Sequence, residues 1–97
     1  QALAINPFSV ESHNNLANIL GSKGRIEEAK KHYKKALSID PENAKIHNNL
    51  GILFQEEKEY LKAINHFQKA LQLKPDLKVS RQNLSVAMDQ YRMSKAR

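Results

Sequence analysis

The sequence predicts an all-α fold, an α-solenoid of stacked helical hairpins, from a fixed repeat period, a helical apolar rhythm and well-placed helix stops. Prolines stand at Pro7, Pro41 and Pro75 and alanines at Ala2, Ala36 and Ala70, both sets 34 residues apart. The same offset relates Leu3, Leu37 and Leu71, then Asn15, Asn49 and Asn83, then Leu16, Leu50 and Leu84. Aligning residues 10–43 on 44–77 leaves ten identical positions, among them His13/His47, Asn14/Asn48 and His32/His66. One period running through the chain means a tandem array, and the period governs how every local motif is read.

Within each repeat the apolar spacing is that of two amphipathic helices. Leu16, Ile19 and Leu20 follow an i, i+3, i+4 rhythm, as do Ala29, Tyr33, Ala36 and Leu37, and the second repeat echoes both with Leu50, Leu53, Phe54 and Ala63, Phe67, Ala70, Leu71. Gly24 ends the first helix of the first repeat. The second helices stop before Asp40-Pro41 and Lys74-Pro75, because a residue preceding proline disfavours the α region. Ser9 and Asn43 stand where a side-chain oxygen satisfies free N–H groups of the following helix. Helices are predicted at 9–22, 26–39, 43–56, 60–73 and 77–93.

Small residues set the packing. Ala17 and Gly51 let one helix approach its hairpin partner, Ala29 and Ala63 meet that contact, and Tyr33 and Phe67 fill the wider gap beside it. A single helical pair cannot bury its apolar face alone, so stacking is required. The organisation expected is 1–9 as the end of a preceding repeat's helix, 10–43 and 44–77 as whole repeats, and 78–97 as a third first helix that caps the array and ends in a basic tail. The chain opens at Gln1 without an initiating methionine, and it reads as an excerpt from a longer protein.

Composition bounds the chemistry. Ninety-seven residues give one small domain, and 27% charged residues with three glycines and three prolines describe a folded chain of helical leaning. Cysteine is absent, which removes disulfides, thiol nucleophiles and sulfur-built zinc sites. No apolar run approaches the roughly 20 residues of a membrane span. The net charge is +6, but residues 10–43 and 44–77 carry +1 each and residues 78–97 carry +4, so the excess is C-terminal. Without interleaved exposed aromatics, nucleic acid is not the expected partner.

Four histidines invite a metal reading. His13 and His47 sit one repeat apart, as do His32 and His66, which places each pair on adjacent parallel helices, and two imidazoles fall short of the three protein ligands zinc usually takes. Polar positions carried by the repeat account for them. No phosphate-binding glycine loop, Ser-His-Asp set or facing carboxylate pair is present, so neither a cofactor nor catalysis within this stretch is expected.

A 34-residue helix-turn-helix with Leu16-Ala17, Leu20, Gly24, Ala29, Tyr33, Ala36 and Pro41, echoed by Leu50-Gly51, Phe54, Ala63, Phe67, Ala70 and Pro75, resembles the tetratricopeptide repeat. The chain departs from that pattern twice. The usual aromatic at the fourth position is His13, His47 and Arg81, and the turn glycine is Lys58 in the second repeat, which is expected to strain or lengthen that turn.

The resemblance implies a right-handed superhelix whose concave groove, lined by first helices, binds a peptide or partner segment. Groove positions then carry Glu11, Asn14, Asn18, Gly21 and Ser22, then Lys45, Asn48, Ile52, Gln55 and Glu56, then Val79, Gln82, Val86, Asp89 and Gln90, a polar and amide-rich surface. The family's chaperone-binding members hold a C-terminal carboxylate with lysines, asparagines and an arginine. Here the asparagine positions fall on Asn18 and Asn49, but the cationic ones hold Asn14, Val79 and Asn83, so a carboxylate clamp is not expected.

Asn15, Asn49 and Asn83 recur along successive first helices, and each amide can donate and accept, so they are expected either to hold a partner's backbone or to bond neighbouring helices. The run NNLANIL at 14–20, followed by Gly24 and IEEA at 26–29, is similar to repeats of O-linked N-acetylglucosamine transferase, in which such a ladder binds substrate peptides. The function expected is a non-catalytic protein-interaction module, with Asn15, Asn49 and Asn83 bonding partner backbone and Asn14, Asn18, Asn48 and Gln82 contacting side chains. The alternatives are the substrate-targeting arm of a glycosyltransferase or other enzyme, and a self-assembling scaffold that stacks through an apolar edge near Ala2, Leu3 and Ile5.

Overall fold

A computed structural model describes residues 9–96, which form five α-helices: α1 (Val10–Ser22), α2 (Ile26–Ile39), α3 (Ala44–Glu56), α4 (Tyr60–Leu73) and α5 (Lys78–Lys95). The expected end of a preceding helix and the apolar edge at Ala2, Leu3 and Ile5 lie outside the described residues. The chain divides into two compact units, one ending at Glu42 and the other beginning at Asn43.

The first unit is the hairpin of α1 on α2. Ser9 caps α1, its hydroxyl accepting from the Ser12 N–H at 3.0 Å. The helix ends in a left-handed turn: the Gly24 N–H donates to the Gly21 carbonyl at 3.0 Å and the Arg25 N–H to the Leu20 carbonyl at 2.9 Å, with Gly24 at φ 81°. This pair of bonds consumes carbonyls that a helix end would otherwise leave open. Ala17, Ala29 and Ala36 are fully buried beside Tyr33. Lys30 pairs with Glu27 at 3.1 Å, and Glu28 pairs with Arg25 at 2.5 Å.

The second unit repeats the hairpin in α3 and α4 and adds α5, which packs on α4 and, over a smaller area, on α3. Asn43 caps α3 by accepting from the Ile46 N–H at 3.2 Å. The α3 turn has the same bonds as that of α1, from Lys58 N–H to the Gln55 carbonyl at 3.0 Å and from Glu59 N–H to the Phe54 carbonyl at 2.8 Å. Lys58 occupies the glycine position at φ 64°, so the missing glycine strains the turn and does not lengthen it. Leu77, one repeat on from Asn43, supplies no capping side chain to α5.

The core of this unit is Ile46, Leu50, Leu53 and Phe54 from α3, Ala63, Phe67 and Ala70 from α4, and Ala87 from α5. The Phe67 ring packs directly against Gly51: a Cβ added there would stand 2.7 Å from its Cε1. The α5 helix runs to Lys95, two residues beyond the predicted end, and Arg92 and Lys95 fall in its last turn, where cations complement the helix dipole.

Candidate peptide-binding face

The first helices carry the predicted site residues, and each unit places its own set. On α1, Asn15 and Asn18 are exposed and Asn14 is half-buried. Asn18 is not free for a ligand through its oxygen, because Oδ1 accepts from the Tyr33 hydroxyl across the hairpin.

In the second unit the amides cluster where α3 meets α5. Asn48 is only 5% exposed, and its Oδ1 accepts from the fully buried Ser80 hydroxyl at 2.8 Å and from Asn83 Nδ2 at 3.1 Å. About two helical turns further along, Gln55 Nε2 donates to Gln90 Oε1 at 2.7 Å. These bonds leave the Asn83 Oδ1 and the Gln90 Nε2 unused by them. Asn49 is half-buried with Asn83, and Gln82 is exposed. Beside Gln82 on α5, at helical spacing, Val79 and Val86 are each about half exposed. A polar seam flanked by two apolar side chains can bond a peptide backbone and cover a small apolar side chain in one place.

Two features escaped the sequence reading. Ser80 holds Asn48 from beneath, and the signal was a small polar residue at the position of Ile46 in the preceding repeat. The histidines pair within each hairpin. His13 Nδ1 lies 3.0 Å from His32 Nδ1 and His47 Nδ1 lies 3.2 Å from His66 Nδ1, with rings stacked at centroid distances of 5.3 and 5.4 Å. Phe54 extends the second stack, its ring 5.5 Å from that of His66. Histidine thus replaces the usual fourth-position aromatic by stacking on a second histidine of the facing helix.

Burial lowers the His32 pKa below its ordinary value, and His13, Lys35 and Lys31 act in the same direction while Glu28 opposes them. Among the described residues no group of three or more His, Cys, Asp or Glu side chains converges on one point. No helix among them is long and apolar enough to cross a membrane.

Helical hairpins of one period, each closed by a left-handed turn and packed through alanine and glycine, define an α-solenoid repeat protein. Tetratricopeptide repeat signatures match residues 1–31, 17–58 and 44–77. The chain belongs to the tetratricopeptide repeat family, and its class is that of a protein-interaction module. No curated protein matches it. Two crystal structures of MamA share its fold, at TM-scores of 0.83 and 0.84 and 20% identity, over 87% and 89% of this chain. The chain spans about half the length of those structures, 49% and 47% respectively.

Proposed function

We propose that the chain holds a peptide or partner segment on its first-helix faces, through Asn49, Gln82 and Asn83 in the second unit and Asn14, Asn15 and Asn18 in the first. The observation that carries this reading is the α3–α5 seam, where Asn83 is oriented by Asn48 while Val79 and Val86 stand half exposed beside it. Orientation matters because an amide already fixed by a neighbour loses little rotamer freedom when a ligand bonds to it. In this arrangement Asn48 is a support, and Asn83 and Gln82 are the contacting groups. Sequence preference would come from the side chains the valines cover, and backbone bonding from the amides.

The test is selection of peptides from a random displayed library by the immobilised chain, followed by affinity measurement on an Asn15→Ala, Asn49→Ala, Asn83→Ala variant and on a Val79→Glu, Val86→Glu variant. Circular dichroism establishes first that each is folded. Selected peptides are expected to weaken at least tenfold on both variants. Unchanged affinity on both would remove the first-helix faces as the binding site.

A further inference from the structure

A second surface lies on the other side of α5 and is independent of the face just described. Leu61, Ile64, Gln68 and Leu71 make one stripe along α4, and Leu84, Met88, Tyr91 and Lys95 make another along α5, both at i, i+3/i+4 spacing. Between them run two depressions. One of about 520 Å³ is lined by Leu61, Ile64, Met88, Tyr91, Arg92 and Lys95, and one of about 440 Å³ by Gln68, Leu71, Gln72 and Leu84. Leu61 is 54% exposed and Met88 44%, which is a large apolar exposure for two adjoining residues.

The repeat itself shows that this patch is a departure. One period earlier, the positions of Leu61 and Ile64 are Glu27 and Lys30, and those two form an ion pair at 3.1 Å. The second repeat replaces that ion pair, in which Glu27 is exposed and Lys30 largely covered, with two large aliphatic side chains. Helix α5 departs as well: at the position of Gly24 and Lys58, where the first helices turn, it carries Arg92 and continues as a helix to Lys95. Tyr91, Arg92 and Lys95 thereby extend the seam past the point where the earlier hairpins close.

The charge of the molecule gathers on these elements. Residues 1–59 hold eight lysines and arginines against eight aspartates and glutamates, whereas residues 60–97 hold eight against two. Helix α4 has no acidic residue, and the cavity's own charged lining is Arg92 and Lys95. Within the same unit, α5 shows what covers a seam between two helices, since it lies on α4 and α3 together.

We infer that the α4–α5 seam docks an amphipathic helix of a partner protein, its apolar stripe on Leu61, Ile64, Met88 and Tyr91 and its acidic residues against Arg92 and Lys95. The seam from Leu61 to Leu71 is about 15 Å long, which accepts about three helical turns. Apolar anchors at i, i+3, i+4 and i+7 with flanking acids are the complement of its shape and charge. Arg92 bonds Asp89 through Nη2 alone and is largely exposed, which leaves further N–H donors of the guanidinium for an incoming carboxylate.

The experiment uses a capped peptide of about five turns with leucine at those spacings and glutamate on the flanks, and a second in which every glutamate is lysine. Binding to the chain is followed by fluorescence anisotropy at two salt concentrations. The glutamate peptide is expected to bind at least tenfold more tightly than the lysine peptide and to weaken with salt. Leu61→Glu, Ile64→Lys restores the first repeat's residues at an exposed and a half-buried position and is expected to abolish the difference, while Arg92→Glu, Lys95→Glu is expected to reverse it. Both variants are checked for helicity, and Lys34→Gln, at an exposed position of α2 in the first unit, serves as a folded control outside the seam.

Equal binding of the two peptides, or no loss in the Leu61→Glu, Ile64→Lys variant, would overturn the inference. So would concentration-dependent dimerisation that the same variant removes, which would make a second copy the occupant. Binding of phosphatidylserine vesicles through these residues, with no binding of the glutamate peptide, would overturn it in favour of an anionic membrane surface.

Discussion

His13 and His32 face each other Nδ1 to Nδ1 at 3.0 Å across the α1–α2 hairpin. One ring must donate and the other accept, so the contact holds with both rings neutral or with one protonated, and two imidazolium rings would turn N–H against N–H. The His32 pKa is lowered by burial first and then by His13, Lys35 and Lys31, against the opposing pull of Glu28. A histidine with a depressed folded pKa contributes its stability fully above the unfolded value of about 6.5 and loses it as pH falls through the folded value.

The chain is therefore expected to melt at a lower temperature as pH drops from about 7.5 to 5, and His32→Gln is expected to flatten that dependence. Thermal unfolding of both proteins across the range checks this. Parallel pH profiles for the two would show that the pair does not couple to folding.

The turn at Lys58 offers a second measurement. Lys58 and Gly24 hold the same helix-ending position at φ 64° and 81°, and only glycine adopts it without steric cost. A left-handed non-glycine residue costs roughly 1–2 kcal/mol, part of which glycine's greater freedom in the unfolded chain returns. Lys58→Gly should stabilise the protein by about 0.5–1 kcal/mol. Gly24→Ala should destabilise it by about 1 kcal/mol, purely through backbone conformation, since a Cβ there would meet no atom within 4 Å. Urea denaturation separates the two signs, and no change in either variant would mean that the turn stores no strain.

These turns, the caps and the helix stops were legible because each depends on one residue type at one position. Ser9, Asn43, Gly24 and the two X-Pro dipeptides announce themselves, and the repeat period multiplies each signal. The histidine pairs were not legible, because the contact depends on how one helix is rotated against another. Their signal was a separation of 19 residues in both hairpins, between His13 and His32 and between His47 and His66. Neighbouring asparagines were harder still. Asn48 and Asn49 differ by one residue, or about 100° of helix rotation, and that rotation puts Asn48 under Ser80 while Asn49 stays half exposed.

Gly51 is selected by Phe67, whose ring atoms Cε1 and Cδ1 would stand 2.7 and 2.9 Å from a Cβ at that position. Gly51→Ala gains about 1 kcal/mol of helix propensity and meets an overpacking cost of about 1–3 kcal/mol, so a net loss is expected. The first repeat accepts Ala17 at the equivalent position, where Tyr33 is the aromatic and bonds outward to Asn18. In a Phe67→Leu background the clash disappears, and Gly51→Ala should turn neutral or stabilising. A double-mutant cycle by urea unfolding reads the coupling. Additive effects would show that the ring does not enforce the glycine.

Asn48 is the joint between α3 and α5, because its single oxygen receives both the Ser80 hydroxyl and the Asn83 amide while the residue is 5% exposed. Removing it with Asn48→Ala strands a hydroxyl that is fully buried, at a cost of about 1–3 kcal/mol. Adding Ser80→Ala deletes the stranded group and should recover a good part of that loss, since apolar replacement of both partners is often nearly neutral. Gln82→Ala, on the exposed side of the same helix, should stay within about 0.5 kcal/mol of the parent protein. Equilibrium unfolding of the four proteins distinguishes a joint from a ligand contact: a cost at Gln82 as large as that at Asn48, or no recovery on removing Ser80, would mean that the buried bond is not what ties α5 to α3.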